Sequence, residues 1–135
     1  MDRTFDVVAR RFEPLSSAQA AVAPRRIRVL RVIDNHHARI SHVHTKDVRK
    51  AVVDRIDRSR ESFLDAVIKG AFTVPGDGSL DFEAIVKRLA GYGYEGWFVV
   101  EAEQDPVKNP PLKMAEIGHA ELLRVMDAAG YEVVR

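Results

Sequence analysis

The chain has 135 residues, 46% hydrophobic and 30% charged, with a net charge of +1. That length carries one domain with a sizeable core, and so small a charge offers no field to steer it onto nucleic acid or a membrane surface. The absence of cysteine excludes disulfides and thiolate metal sites; no apolar run approaches the roughly 18 residues of a membrane span, and the charged N-terminus is no secretory signal, so a cytoplasmic protein is expected.

Residues 1–26 mix a short apolar patch with arginines and an Ala/Ser stretch, and read as a lead-in of unclear structure. Arg25, Arg26, Arg28 and Arg31 form a basic cluster without interleaved aromatic residues, the pattern of a solvated helix face rather than a phosphate-binding patch. Ile27, Leu30, Ile33 and His37 have helical spacing over 27–39. "RISHVHTK" then alternates: Ile40, His42 and His44 face one way, Ser41, Val43 and Thr45 the other, which predicts a strand. Residues 46–70 read as helical, with Val48, Val52, Ile56, Phe63, Ala66 and Val67 as apolar positions. "VPGDGS" is a tight turn; it lacks the lysine and the strand-to-helix placement of a phosphate loop.

Ser79 or Asp81 can cap a helix over 82–90 that ends on Gly91 or Gly93. "GWFVVEAEQ" is a strand with Trp97, Val99, Glu101 and Glu103 on one face and Phe98, Val100 and Ala102 on the other; Trp97 and Phe98 are expected to pack. Asn109 is placed to cap a last helix over 111–129, with Leu112, Ala115, Ile117, Leu122, Val125 and Met126 as its apolar positions, ending at Gly130. Strands separated by helical crossovers predict an α/β fold with parallel strands and outer helices. Chemistry in such folds collects at the C-terminal strand ends.

Both strands carry their ionisable residues late. His42 and His44 end the first, Glu101 and Glu103 the second, and parallel pairing brings these ends to one rim. Imidazole and carboxylate together suit zinc, manganese, cobalt or iron. Taken singly, His-x-His and Glu-x-Glu are usually structural or solvated; their coincidence at equivalent strand ends is what points to a site. Lys46, Asp47, Arg49, Gln104 and Asp105 lie just beyond, where a substrate would sit. His36, His37 and His119 fall in helical patterns and read as surface or packing residues.

"RISHVHTKDVR", "SFLDAVIKGAFTVPGDGSLDF" and "GYEGWFVVEAEQDP", in this order, resemble the C-terminal part of the inosose dehydratase family, a branch of the xylose isomerase-like TIM barrels with sugar epimerases as cousins. The resemblance covers about residues 27–135. It implies a truncated (β/α) barrel, a divalent metal, manganese or cobalt, and a polyol or keto-sugar substrate from which water is removed. By that resemblance His44 and Glu101 are metal ligands, Glu101, His42 and Lys46 are catalytic, and Lys46, Arg49 and Glu103 contact substrate. A full barrel takes about 250 residues, so the strands that supply the family's other ligands have no counterpart here.

The implied chemistry is Lewis-acid stabilisation of an enolate, with a carboxylate as base and His42 or Lys46 as acid. Two alternatives stay open: a sugar isomerase or epimerase using the same enolate chemistry, and a non-catalytic barrel fragment that folds by oligomerisation, since unpaired strand edges seek partners. A homo-oligomer is expected in either case.

Overall fold

A computed structural model describes residues 25–134, with side chains from Val29 onward; the lead-in over residues 1–24 lies outside the described residues. Helix α1 (Arg25–His36) runs into a 3-10 turn (His37–Arg39) and strand β1 (His42–Thr45). The short strand β2 (Asp47–Val48), helices α2 (Lys50–Val53) and α3 (Phe63–Ile68), and strand β3 (Phe72–Thr73) follow. Helix α4 (Phe82–Gly91), strand β4 (Trp97–Val100) and helix α5 (Pro111–Ala128) complete the order.

β1 and β4 pair in parallel, with His42 opposite Trp97, Val43 opposite Phe98, His44 opposite Val99 and Thr45 opposite Val100. Alternation then separates two faces. Val43 and Thr45 are buried, and Phe98 and Val100 pack beside Val43 against the helices. The core on that side is built from Ile33 of α1, Ile85, Val86 and Leu89 of α4, and Leu122 and Val125 of α5. His42, His44, Trp97 and Val99 take the opposite face, as the period-two pattern predicts. Among the described residues no helix is long and apolar enough to cross a membrane.

Several expectations are corrected. Residues 46–70 are not one helical run, because side chains there compete for the backbone. Asp57 accepts from the Ser59 amide and hydroxyl, and Ser62 with Asp65 forms a reciprocal cap that starts a new helix. Val48, Val52 and Ile56 still turn inward, onto a second core of Val53, Ala66, Val67, Ala71 and Phe72, while Phe63 is 52% exposed. β2 and β3 pair antiparallel, a feature without a sequence signal at two residues each.

Ile40 joins the main core although the alternation put it on the histidine side, since it precedes β1. Trp97 is 73% exposed rather than packed, at the start of β4 on the face that the helices do not cover. Asp81 caps α4, accepting from the Ala84 amide, but Pro110 and not Asn109 stands at the α5 N-cap. On α5, Leu112 is 74% exposed and Met114 and Gly118 face inward instead.

Gly118 sets how closely α5 approaches the sheet: a Cβ there would stand 2.6 Å from Val100 Cγ1 and 3.0 Å from Val74 Cβ. Both neighbours are buried or packed, so neither can simply swing away. Gly118→Ala is expected to destabilise the chain by about 1–3 kcal/mol through overpacking, read from urea midpoints. An unchanged midpoint would show that α5 is free to shift.

Candidate active site at the strand ends

Pairing continues past β4, where the Glu101 amide donates to the Thr45 carbonyl at 3.2 Å. Thr45 itself is buried, and its hydroxyl donates to the Val99 carbonyl at 2.8 Å. The two chains therefore stay in register up to the point where the ionisable residues begin. His44 Nδ1 lies 2.5 Å from Glu101 Oε2. Lys46 follows Thr45, and its ammonium lies 2.6 Å from Glu103 Oε1 and 3.4 Å from Glu101 Oε1. The Lys46 side chain is 8% exposed, against 31% for His44 and 38% for Glu101. One ammonium thus faces two carboxylates, and the Glu103 Oε2 atom is buried without a hydrogen-bond partner.

These contacts set the charge states. Burial works to raise the Glu101 carboxyl, but the hydrogen bond with His44 and the pull of Lys46 outweigh it and hold Glu101 below its ordinary value. An ionised carboxylate only accepts, so the proton in the short contact sits on His44 Nδ1. Burial works to lower Lys46, but the bond to Glu103 and the charges of Glu103 and Glu101 raise it overall. The His42 ring lies 5.4 Å from that of His44, centroid to centroid.

Arg49 turns elsewhere. Its Nε and Nη2 donate to Asp77 Oδ2 at 3.1 and 2.5 Å, Nη2 also to Asn109 Oδ1 at 3.3 Å, and Nη1 to the Gly70 carbonyl at 2.9 Å. Asp77 also accepts from the Thr73 hydroxyl at 2.5 Å, and Gln104 donates to Thr73 at 3.3 Å. One guanidinium therefore ties together the exit of β2, the Gly-rich turn and the loop before α5. Gly70 permits this with φ of +78°, and a Cβ there would meet the guanidinium at 3.0 Å.

Asp47 turns inward. It is 1% exposed, and its Oδ1 accepts from the amides of Val48, Ser79 and Leu80 at 2.7 to 2.9 Å. Burial pushes its carboxyl up despite those three bonds, and the charge of Asp77 adds to the rise. A Cβ on Gly78 would overlap the Asp47 carboxyl. "PGDGS" is thus braced by two carboxylates, Asp47 from beneath and its own Asp77 toward Arg49. Residue patterns mark the segment as a turn but not the roles of Asp77, Thr73 and Asn109 in this network; an acid between two turn glycines is the one signal for it.

The structure brings His44, Glu101, Lys46 and Glu103 into one hydrogen-bonded group, sets His42 beside it and places Arg49 in a separate network. A cleft of about 210 Å³, lined by Val74, Val100, Gln104, Asn109, Pro111 and Met114, lies between β4 and α5 and has none of the four on its walls. His44 and Glu101 fit a divalent metal in donor type, and the surplus carboxylate and unpartnered Glu103 oxygen favour a cation nearby. They fit as two members of a larger ligand set: the described residues contain no group of three His, Asp or Glu side chains arranged to hold an ion.

The ion pairs make stability depend on pH in two windows. Glu101, held below its ordinary 4.5, contributes stability that is present above that pH and is lost as pH falls through its lower folded value. Lys46, held above its ordinary 10.5, contributes stability that is present below that pH and is lost as pH rises through its higher folded value. Glu101→Gln is expected to reduce the acid fall in denaturant midpoint, and Lys46→Met the alkaline fall. Profiles parallel to wild type would remove these two groups as the source.

The model of the xylose isomerase-like TIM barrel family matches residues 20–132. The rhizopine catabolism protein MocC of Rhizobium meliloti is 52% identical over 98 residues, which cover 73% of this chain and 30% of that protein. The inosose dehydratases of Klebsiella pneumoniae (strain 342) and Geobacillus thermodenitrificans are each 52% identical, over 87 and 86 residues, covering 64% of this chain and 29% of each relative. The chain thus spans about 30% of the length of the relatives it matches. With the family's model extending over most of its residues, and parallel strands backed by helices that converge their polar ends on one rim, the chain belongs to the xylose isomerase-like TIM barrel family.

Proposed function

We propose that the chain carries part of the active site of an inosose dehydratase, an enzyme that removes water from a keto-inositol. The observation that carries this reading is the His44–Glu101 contact at 2.5 Å, continued by Lys46 to Glu103. The names of the inosose dehydratase relatives support the substrate class. In this reading residues 27–135 are the C-terminal part of the barrel.

His44 through Nδ1 and Glu101 through Oε2 would hold a divalent ion, manganese or cobalt, in place of the proton they share, and when bound it supplies a Lewis acid toward the substrate carbonyl. Glu101, ionised through the neutral range, takes the proton from the carbon beside the carbonyl. The electron pair released closes the new double bond as the β-hydroxyl departs, and His42 gives that hydroxyl the proton with which it leaves as water. Lys46 is poorly suited to that donation, because its carboxylate partners raise its proton affinity. Glu103 anchors the Lys46 ammonium beside the site at 2.6 Å, and Arg49 steadies the loops around it.

One observation favours a second reading, a non-catalytic fragment: the described residues supply no third ligand. β1 and β4 form a two-stranded sheet, each with an open edge among the described residues, and such edges favour association. A homo-oligomer is therefore part of the proposal, and light scattering is expected to give a mass above that of one 15.2 kDa chain; a folded monomer would remove this part.

Manganese titration of the purified chain by spin resonance is expected to show a site that His44→Ala and Glu101→Ala each weaken about tenfold or more. No binding in a folded protein would sink the dehydratase reading in favour of the fragment. Where binding is found, product analysis on keto-inositol against a ketohexose separates dehydration from isomerisation or epimerisation.

A further inference from the structure

We propose that Lys46 is a positioning residue: its buried ammonium, anchored by Glu103, holds the Glu101 carboxylate against His44. The inference deepens the reading of His44 and Glu101 as the metal-holding pair and rests on it for its functional meaning. Sequence reasoning alone put Lys46 among the groups that touch substrate.

The geometry argues for the positioning role. Both Glu101 oxygens are engaged, Oε2 with His44 and Oε1 with Lys46. A glutamate side chain has three rotatable bonds, and fixing it against a ring at one oxygen leaves rotation about the other. Lys46 supplies the second point. Its own place is secured twice, by the backbone between β1 and β2 and by the contact with Glu103 at 2.6 Å. With its side chain 8% exposed and two carboxylates taking its donors, its ammonium is directed within the group and not toward solvent. Without it, Glu101 and Glu103 would also repel each other across a partly buried site.

The test is the imidazole nitrogen-bound proton spectrum of the whole 135-residue chain by NMR. A proton held between Nδ1 and a carboxylate is displaced downfield and exchanges slowly; it is assigned to His44 by its loss in His44→Gln. The expected result is a signal in wild type, its loss in Lys46→Met, and its return in Lys46→Arg, whose fork can span both carboxylates. Should Lys46→Met fail to fold, Lys46→Met with Glu103→Gln removes the ammonium together with one carboxylate, keeps the net charge, and is expected to lose the signal as well. A signal unchanged in the folded variant, or missing from wild type, overturns the proposal. Manganese titration of wild type is read separately: absent metal binding defeats the dehydratase reading while leaving the spectrum to decide the role of Lys46.

Discussion

Everything in this molecule that resembles a site depends on the parallel pairing of β1 with β4. Parallel strands need a crossover, and the long connection between these two carries α4, which covers one side of the sheet together with α1 and α5. Pairing also places equivalent strand ends side by side. Because His44 stands opposite Val99, the continuing chains bring Glu101 to His44 and the Lys46 ammonium to Glu101 and Glu103. A one-residue slip would turn the histidines toward the helices and Val43 away from them, exchanging core for surface along the whole strand.

The same alternation gives the sheet its two unlike faces. Val43, Phe98 and Val100 are held by α4 and α5, and the close approach of α5 over Gly118 makes that packing tight. The other face presents two imidazoles, and the carboxylates follow where β4 ends. Ionisable groups survive there because they are paired: a lone buried carboxylate or ammonium would sacrifice hydration without return, whereas Lys46 between Glu101 and Glu103 recovers much of it. The balance is incomplete by one negative charge when His44 is neutral. That surplus is the electrostatic reason the group suits a cation.

Around this group the loops are braced rather than loose. Arg49 spends its donors on Asp77, Asn109 and the Gly70 carbonyl, and Asp47 collects the amide of Val48 and, from the neighbouring loop, those of Ser79 and Leu80. Bonds of this kind satisfy backbone groups that irregular segments would otherwise leave unpaired. The two networks account for the glycines at 70 and 78, each of which faces a charged side chain where a Cβ would crowd it.

Much of this was legible in residue patterns. Period-two alternation in "HVHT" and "WFVV", the Asp81 cap and the glycine stops have causes within a few residues, so the strands, the fourth helix and the faces of the sheet could be read directly. So could the convergence of His44 with Glu101, once the strands were taken as parallel. Local competition misled where helical spacing spanned 46–70, because the side chains of Asp57 and Ser62 bind the backbone and break the run. Tertiary structure alone decided that Lys46 is enclosed, that Arg49 pairs with Asp77, and that Trp97 stands in the open. The sequence by itself determined which residues alternate and which kinds of ligand gather late in each strand. Which partner each charge meets was left to the packing, because those partners lie 28 to 57 positions apart and only the folded chain sets the distance between them.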